Sequence, residues 1–372
     1  MSVLERTYGK KSTAAIDELL ISSDSHVIEP EGLWQKNLPK AFQDRAPDYG
    51  GHRKNDHPGA MDKRERVKEM AADGVSAEIL YPTHALKALS LDDPPLEEAC
   101  ARVYNDWLID YCQAAPDRLI GLAMLAVHNI EVAIQEMERC RKAGLRGVVI
   151  WQVPAPDLPF TSRHYDRFWD AAQDLDMPVN LHILSGHGYS KSRSFTQVVP
   201  EASDPGIDQN RSSVNYKLFQ TVDVLYDLIY GGVLERFPRL KLVLVESEIG
   251  WIPFVLEQWD YYFKRFAGNR PSSLTITKLP SEYFHRQVYA TFFNDAVGGH
   301  LLSWWGVDNC MWSNDYPHGN STWPYSREIV ARDMGNLPSE SRAKLLRENV
   351  ARLYNISIPK PVETVVGAPA SL

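Results

Sequence analysis

Residues 19–26, Leu-Leu-Ile-Ser-Ser-Asp-Ser-His, decide the fold. The apolar run Leu19-Leu20-Ile21 reads as a first β-strand, and it closes on Asp24-Ser25-His26 rather than on a glycine-rich turn. Side chains on a strand repeat every second residue, so Asp24 and His26 point the same way and can meet one metal ion. A doubly wound open sheet would carry a glycine-rich phosphate turn after an early strand. None is present, and the expected class is α/β, as a closed (β/α)8 TIM barrel.

The rest of the chain alternates in the same manner. Further strands are expected at 77–81, 119–125, 147–151, 178–183, 240–245, 287–292 and 310–313. Helices are expected at 61–74, 95–115, 130–143, 165–175, 214–230, 252–266, 296–304, 326–334 and 339–354. This predicts one domain over 1–372, with a barrel core at 18–356 and a tail at 357–372. The polar stretches 29–60 and 185–213 are too long for ordinary loops and read as insertions over the barrel mouth.

With 372 residues and 44% hydrophobic composition, the chain can bury a large core. Its formal charge is −8 and it has no Lys/Arg-rich block, which removes the footprint of a nucleic-acid binder. No stretch approaches the ~20 apolar residues of a membrane span. The opening MSVLERTYGKKSTAA lacks a signal-peptide apolar region. Cys100, Cys112, Cys140 and Cys310 are scattered without a C-x-x-C, so reduced thiols in a cytoplasmic protein are expected.

Strand ends carry the chemistry. Asp24 and His26 end strand one, His182 strand five, Glu246 strand six and Asp315 strand eight, all where a barrel opens. A lone carboxylate or imidazole beside such apolar runs would cost several kcal/mol or shift its pKa. A shared divalent cation removes that cost. Two imidazole nitrogens and two carboxylate oxygens at about 2.0–2.2 Å suit Zn2+, with Mn2+ as the alternative. Each residue also has an ordinary reading: a cap or buried polar pair for Asp24 and His26, a satisfied core histidine for His182, a turn start for Asp315. Glu246 stays open as a ligand, an acid/base group or the partner of a ligating histidine, whereas Glu248 is expected to face away and hold a loop. His318 and His84 are candidates for substrate contact or plain loop histidines. Trp34, Trp151, Trp251, Phe292, Phe293, Tyr316 and Trp323 crowd the expected mouth, where they would line a pocket for a planar ring. Asn294, beside Phe293, is placed to orient a polar substituent.

Several stretches together resemble the amidohydrolase superfamily, in particular the amidohydrolase-related family that includes aminocarboxymuconate-semialdehyde and resorcylate-type decarboxylases. They are Asp-Ser-His-Val-Ile-Glu-Pro (24–30), Arg-Gly-Val-Val-Ile (146–150), Asn180-Leu-His182, Leu-Glu-Arg-Phe-Pro-Arg-Leu-Lys-Leu-Val-Leu (234–244) and Ser-Asn-Asp-Tyr-Pro-His (313–318). The resemblance implies a barrel of the metal-dependent hydrolase type and one divalent metal on Asp24, His26, His182 and Asp315. It also implies a homodimer or dimer-built assembly. Two departures stand out. Asp24 takes the place of the first His of the His-x-His that opens many relatives, and Glu246 stands where several relatives keep an acid/base histidine. Trp151 replaces the lysine that bridges two metals in binuclear members, which points to a mononuclear site. The implied activity is non-oxidative decarboxylation of a small aromatic or unsaturated acid. Asp315 or Glu246 would supply the proton, and His318, Trp151, Asn294, Phe293 and His84 the substrate contacts. Hydrolysis of an amide, lactone or C–C bond by metal-activated water is the alternative, and a silent binding barrel is a third.

Overall fold

Eight strand positions run parallel in chain order, each pairing with the next. The computed structural model describes residues 16–49, 57–187, 215 and 217–360. Its strands are β1 (Leu20–Val27), β2 (Val75–Pro82), β3 (Leu119–Gly121), β4 (Ala123–Met124), β5 (Val148–Ile150), β6 (Val179–His182), β7 (Leu242–Val245), β8 (Val288–Phe292) and β9 (Cys310–Trp312). The last position returns to the first. Ser23 Oγ donates to Trp312 O at 2.9 Å, Asp315 N to Asp24 O at 3.0 Å, and His26 N to Tyr316 O at 2.6 Å. The fold is a (β/α)8 barrel, as the alternating pattern predicts.

The third position is broken, where one strand over 119–125 was expected. Leu122 N donates to Leu80 O, but Ala123 N and Leu125 N donate to Gly147 O and Val149 O. The strand changes partner at Leu122, which splits it into β3 and β4. The expected helix over 339–354 also carries an irregularity, a π-turn at Lys344–Glu348 between Ser339–Ala343 and Asn349–Leu353. A helix at Pro280–Gln287, ahead of β8, was not anticipated. The insertion at 185–213 lies largely outside the described residues, as does the tail beyond 360. The described part of 29–60 is not open loop but short helices at Leu33–Asn37, Lys40–Arg45 and Pro58–Ala60.

Local chemistry explains the helix boundaries. Lys63–Asp73 starts at Asp62, whose carboxylate accepts from Arg64 N and Glu65 N, and stops at Gly74 with φ +73°. The strands are buried along their whole length, as expected for strands walled by helices outside and side chains within. Inside the barrel, Tyr81 Oη and Tyr354 Oη both donate to Asn180 Oδ1, at 2.7 and 2.6 Å. Those three side chains form a floor beneath the C-terminal strand ends. Among the described residues, no helix is long and apolar enough to cross a membrane.

Candidate metal centre

β1 does not run straight into the site. Ser22 pairs with Glu78 but Ser25 pairs with Leu80, so one extra residue is accommodated at Ser23–Asp24. Such a bulge re-aims the side chains around it. Serine hydroxyls brace it: Ser22 Oγ lies 2.9 Å from both Asp24 O and Asn314 Oδ1, and Ser25 Oγ donates to Asn314 Oδ1 at 2.6 Å. Asn314 precedes Asp315, so one polar knot fixes the two acidic residues that bracket the barrel seam.

The structure brings Asp24, His26, His182, Glu246, Asp315 and His318 together, all but His318 buried. His26 Nε2 is 3.1 Å from His182 Nε2, 3.5 Å from Asp24 Oδ1 and 3.6 Å from Asp315 Oδ1. His182 Nε2 is 4.0 Å from Asp24 Oδ1 and 3.8 Å from Glu246 Oε2. The backbone bends to achieve this: Glu246 has φ +58° and Asp315 φ +52°, conformations that side-chain-bearing residues rarely adopt.

The two imidazoles bear on what the cluster could hold. His26 Nδ1 lies 2.9 Å from Pro82 O and His182 Nδ1 2.8 Å from Ile183 O. A carbonyl only accepts, so each Nδ1 carries a hydrogen and each ring turns its Nε2 inward, where an uncharged ring has its lone pair. Those lone pairs face one another, and Asp315 Oδ2 is buried without a hydrogen bond. Donors bonded to one ion at about 2.1 Å sit roughly 3.0–3.4 Å apart when adjacent and about 4.2 Å apart when opposite. The separations in the cluster fall in and near that range, and the donor set fits a divalent cation.

Charge in the cluster is shifted accordingly. Burial, helped by His318 and His182, holds the His26 imidazole well below its ordinary range. Burial pushes the Asp315 carboxyl up to about 7, against the pull of His318. For His318, burial works downward, but the Asp315 charge outweighs it and carries the imidazole up to about 9. His318 Nδ1 is 2.8 Å from Asp315 Oδ1 and its side chain is 28% exposed, so it joins the buried acid to the outside.

The other candidates divide. Trp151 and Phe293 are buried at strand ends β5 and β8. Glu248 Oε2 accepts from Phe293 N at 3.3 Å and ties two loops together. Asn294 has its Oδ1 occupied by Arg332 Nη2 at 2.9 Å, so that arginine belongs to the rim as well. His84 opens a short helical turn whose N–H groups, from Thr83 to Ala85, all donate to the Glu29 carboxylate. Three expected mouth aromatics turn elsewhere. Trp34 Nε1 donates to Cys100 O, Trp323 Nε1 to Glu69 O, and Tyr316 Oη to the Glu69 carboxylate, with Arg66 over the Tyr316 ring. Each polar atom finds its partner behind the barrel wall, which fixes the ring there. Glu29, Arg66 and Asp295 were not singled out from sequence. Glu29 sits within the 24–30 motif. Arg66 donates to His26 O at 2.6 Å and Glu78 at 2.6 Å. Asp295 accepts from Ile249 N, Gly250 N and Gly298 N.

The sequence profile of the amidohydrolase family matches residues 47–356, and the chain belongs to that family. The gamma-resorcylate decarboxylase of Rhizobium radiobacter is 24% identical over 319 residues, which cover 78% of this chain and 86% of the relative. Among solved structures, 5-carboxyvanillate decarboxylase from Sphingomonas paucimobilis superposes with TM-score 0.70 at 23% identity, covering 91% of this chain and 99% of that one. The 5-carboxyvanillate decarboxylase of Novosphingobium aromaticivorans, crystallised with manganese and 4-hydroxy-3-methoxy-5-nitrobenzoic acid, also gives 0.70, at 20% identity over 91% of this chain and 97% of that one. The profile match begins beyond β1, so the positions of Asp24 and His26 rest on the structure.

Proposed function

We propose that this chain is a metal-dependent carboxy-lyase that releases CO2 from a small aromatic acid. The observation that carries the proposal is the pair of inward Nε2 lone pairs 3.1 Å apart, flanked by Asp24 and Asp315. The decarboxylase relatives and the manganese in one neighbour support it. Asp24, His26, His182 and Asp315 would hold one ion, either Zn2+ or Mn2+. Bound there, the ion supplies Lewis-acid stabilisation of charge on the substrate's carboxylate and an adjacent ring oxygen.

The chain's residues do the rest. Pro82 O and Ile183 O fix the two imidazoles in orientation. Trp151 and Phe293 offer aromatic walls to the ring and keep water out. Asp315, a buried acid, delivers its proton to the ring carbon that bears the carboxylate. The electron pair of the breaking C–C bond returns to the ring, CO2 leaves, and the Asp315 carboxylate is reprotonated from outside through His318. Glu246, with Oε2 3.8 Å from His182 Nε2, is the second candidate acid.

The four cysteines are buried and free, in keeping with the proposed cytoplasmic setting. A homodimer is also proposed, to be checked by light scattering. To test the function, the manganese-loaded protein would be incubated with a panel of hydroxybenzoic acids while released CO2 is followed. CO2 with matching loss of the acid is expected. Turnover of esters or amides with no CO2 from any acid would replace this proposal with the hydrolytic one.

A further inference from the structure

A second ionisable cluster at the mouth is unused by this chemistry. Glu97, on helix Pro94–Cys112, is fully buried, and burial pushes its carboxyl up to about 7. The side chain set against it is His128, whose Nε2 is 3.5 Å from Glu97 Oε2 and whose side chain is 29% exposed. His128 lies just beyond β4, and its ring packs on Trp151 with centroids 4.6 Å apart. Ile150 pairs with Leu181, so Trp151 stands level with His182 and, by alternation, faces the same side. A buried carboxyl, an imidazole and an indole thus lead from the helix layer to the wall of the candidate metal centre.

With Nε2 turned to Glu97 and a proton held between the two groups, the ring offers Nδ1–H, and among the described residues no acceptor is bonded to it. The hydrogen bond and charge of Glu97 raise the imidazole above its ordinary range, and Glu98 and Asp157 act in the same direction. Those carboxylates also decide the ligand's charge. Acidic groups on every side of the imidazole, with Glu98 and Asp157 beyond the buried Glu97, disfavour a second anion there and tolerate a neutral acceptor.

We propose that His128, seated on Trp151 and paired with Glu97, is a specificity residue that donates a hydrogen bond to a neutral oxygen substituent, hydroxyl or alkoxy, on the β4–β5 side of the aromatic acid. This rests on the aromatic-acid reading of the site, and binding measurements separate the two. Calorimetry on the manganese-loaded full chain would compare 2-hydroxybenzoate, each of its methoxy isomers, and 2-hydroxyisophthalate. In the wild type, one methoxy isomer should bind more tightly than the parent, and the second carboxylate should weaken binding. His128→Phe keeps a ring on Trp151 but removes the donor. It should cost that isomer about tenfold in affinity, the scale of one charge-assisted hydrogen bond, and the parent under about twofold. His128→Gln should restore part of the difference, which a purely structural role would not do. Equal losses for both ligands, no preferred isomer, a preference for the dicarboxylate, or no binding at all would each overturn the inference. Selective loss without CO2 release would leave it standing and sink the decarboxylase reading instead. CO2 release with equal losses would do the opposite.

Discussion

Replacing Asp315 by Asn probes the proposed proton delivery with little change of shape. Asp315 is fully buried, with Oδ1 2.8 Å from His318 Nδ1 and Oδ2 free of hydrogen bonds. An amide fits the same space, keeps one oxygen toward the cluster and cannot give up a proton at neutral pH. Two effects are expected. Metal binding weakens because one carboxylate charge is lost, and this is overcome by assaying at saturating Mn2+. The remaining loss is that of a positioned acid, about 10²- to 10⁴-fold in rate, or roughly 3–5 kcal/mol of barrel-held transition-state stabilisation. The rate of CO2 release at saturating acid and metal measures it. Exchange of ring hydrogen for deuterium in the decarboxylated product, in D2O, isolates proton transfer from C–C cleavage and should fall by a similar factor. A variant that keeps kcat within about tenfold and exchanges deuterium normally would remove Asp315 from the mechanism and shift attention to Glu246.

Removing the ion should lower thermal stability. At about 100 times its dissociation constant a ligand adds about 2.7 kcal/mol, which for a chain of this size is a shift of roughly 3–4 °C, read by scanning fluorimetry with and without chelator. His182→Ala should abolish that shift. Asp73 provides a pH test away from the site. Burial pushes its carboxyl up to about 7, despite hydrogen bonds from Ser326 N and Oγ. The folded state therefore holds its proton more tightly than the unfolded chain, and the associated stability is full below about pH 4 and lost as pH rises to about 7. The loss is on the order of 4 kcal/mol at most. Denaturation of Asp73→Asn across that window should show a flatter pH dependence than the wild type; parallel curves would contradict the assignment.

The strand ends were legible because polar residues rarely follow runs such as Leu-Val-Leu-Val without a partner. That is why Asp24, His26, His182, Glu246 and Asp315 could be picked out and why they meet in space. What escaped notice depends on direction rather than identity. The bulge in β1 arises from hydroxyl contacts to Asn314, nearly three hundred positions away, which no local pattern encodes. Tyr316 stands one residue past Asp315, but the left-handed turn at Asp315 sends its ring behind the wall to Glu69. Leu122 looks like any other strand residue, and only the choice of neighbouring backbone splits its strand. Glu29 was visible in the 24–30 motif, yet its role as acceptor for Thr83, His84 and Ala85 depends on where β2 ends.

The most direct test is the metal content of the purified full chain, measured by elemental analysis and by Mn2+ titration followed by electron paramagnetic resonance. One tightly held divalent ion per chain is expected, lost in both His26→Ala and His182→Ala while the circular dichroism of the barrel is kept. A wild type that takes up no divalent ion, or variants that bind it as well as the wild type does, would contradict the proposed centre.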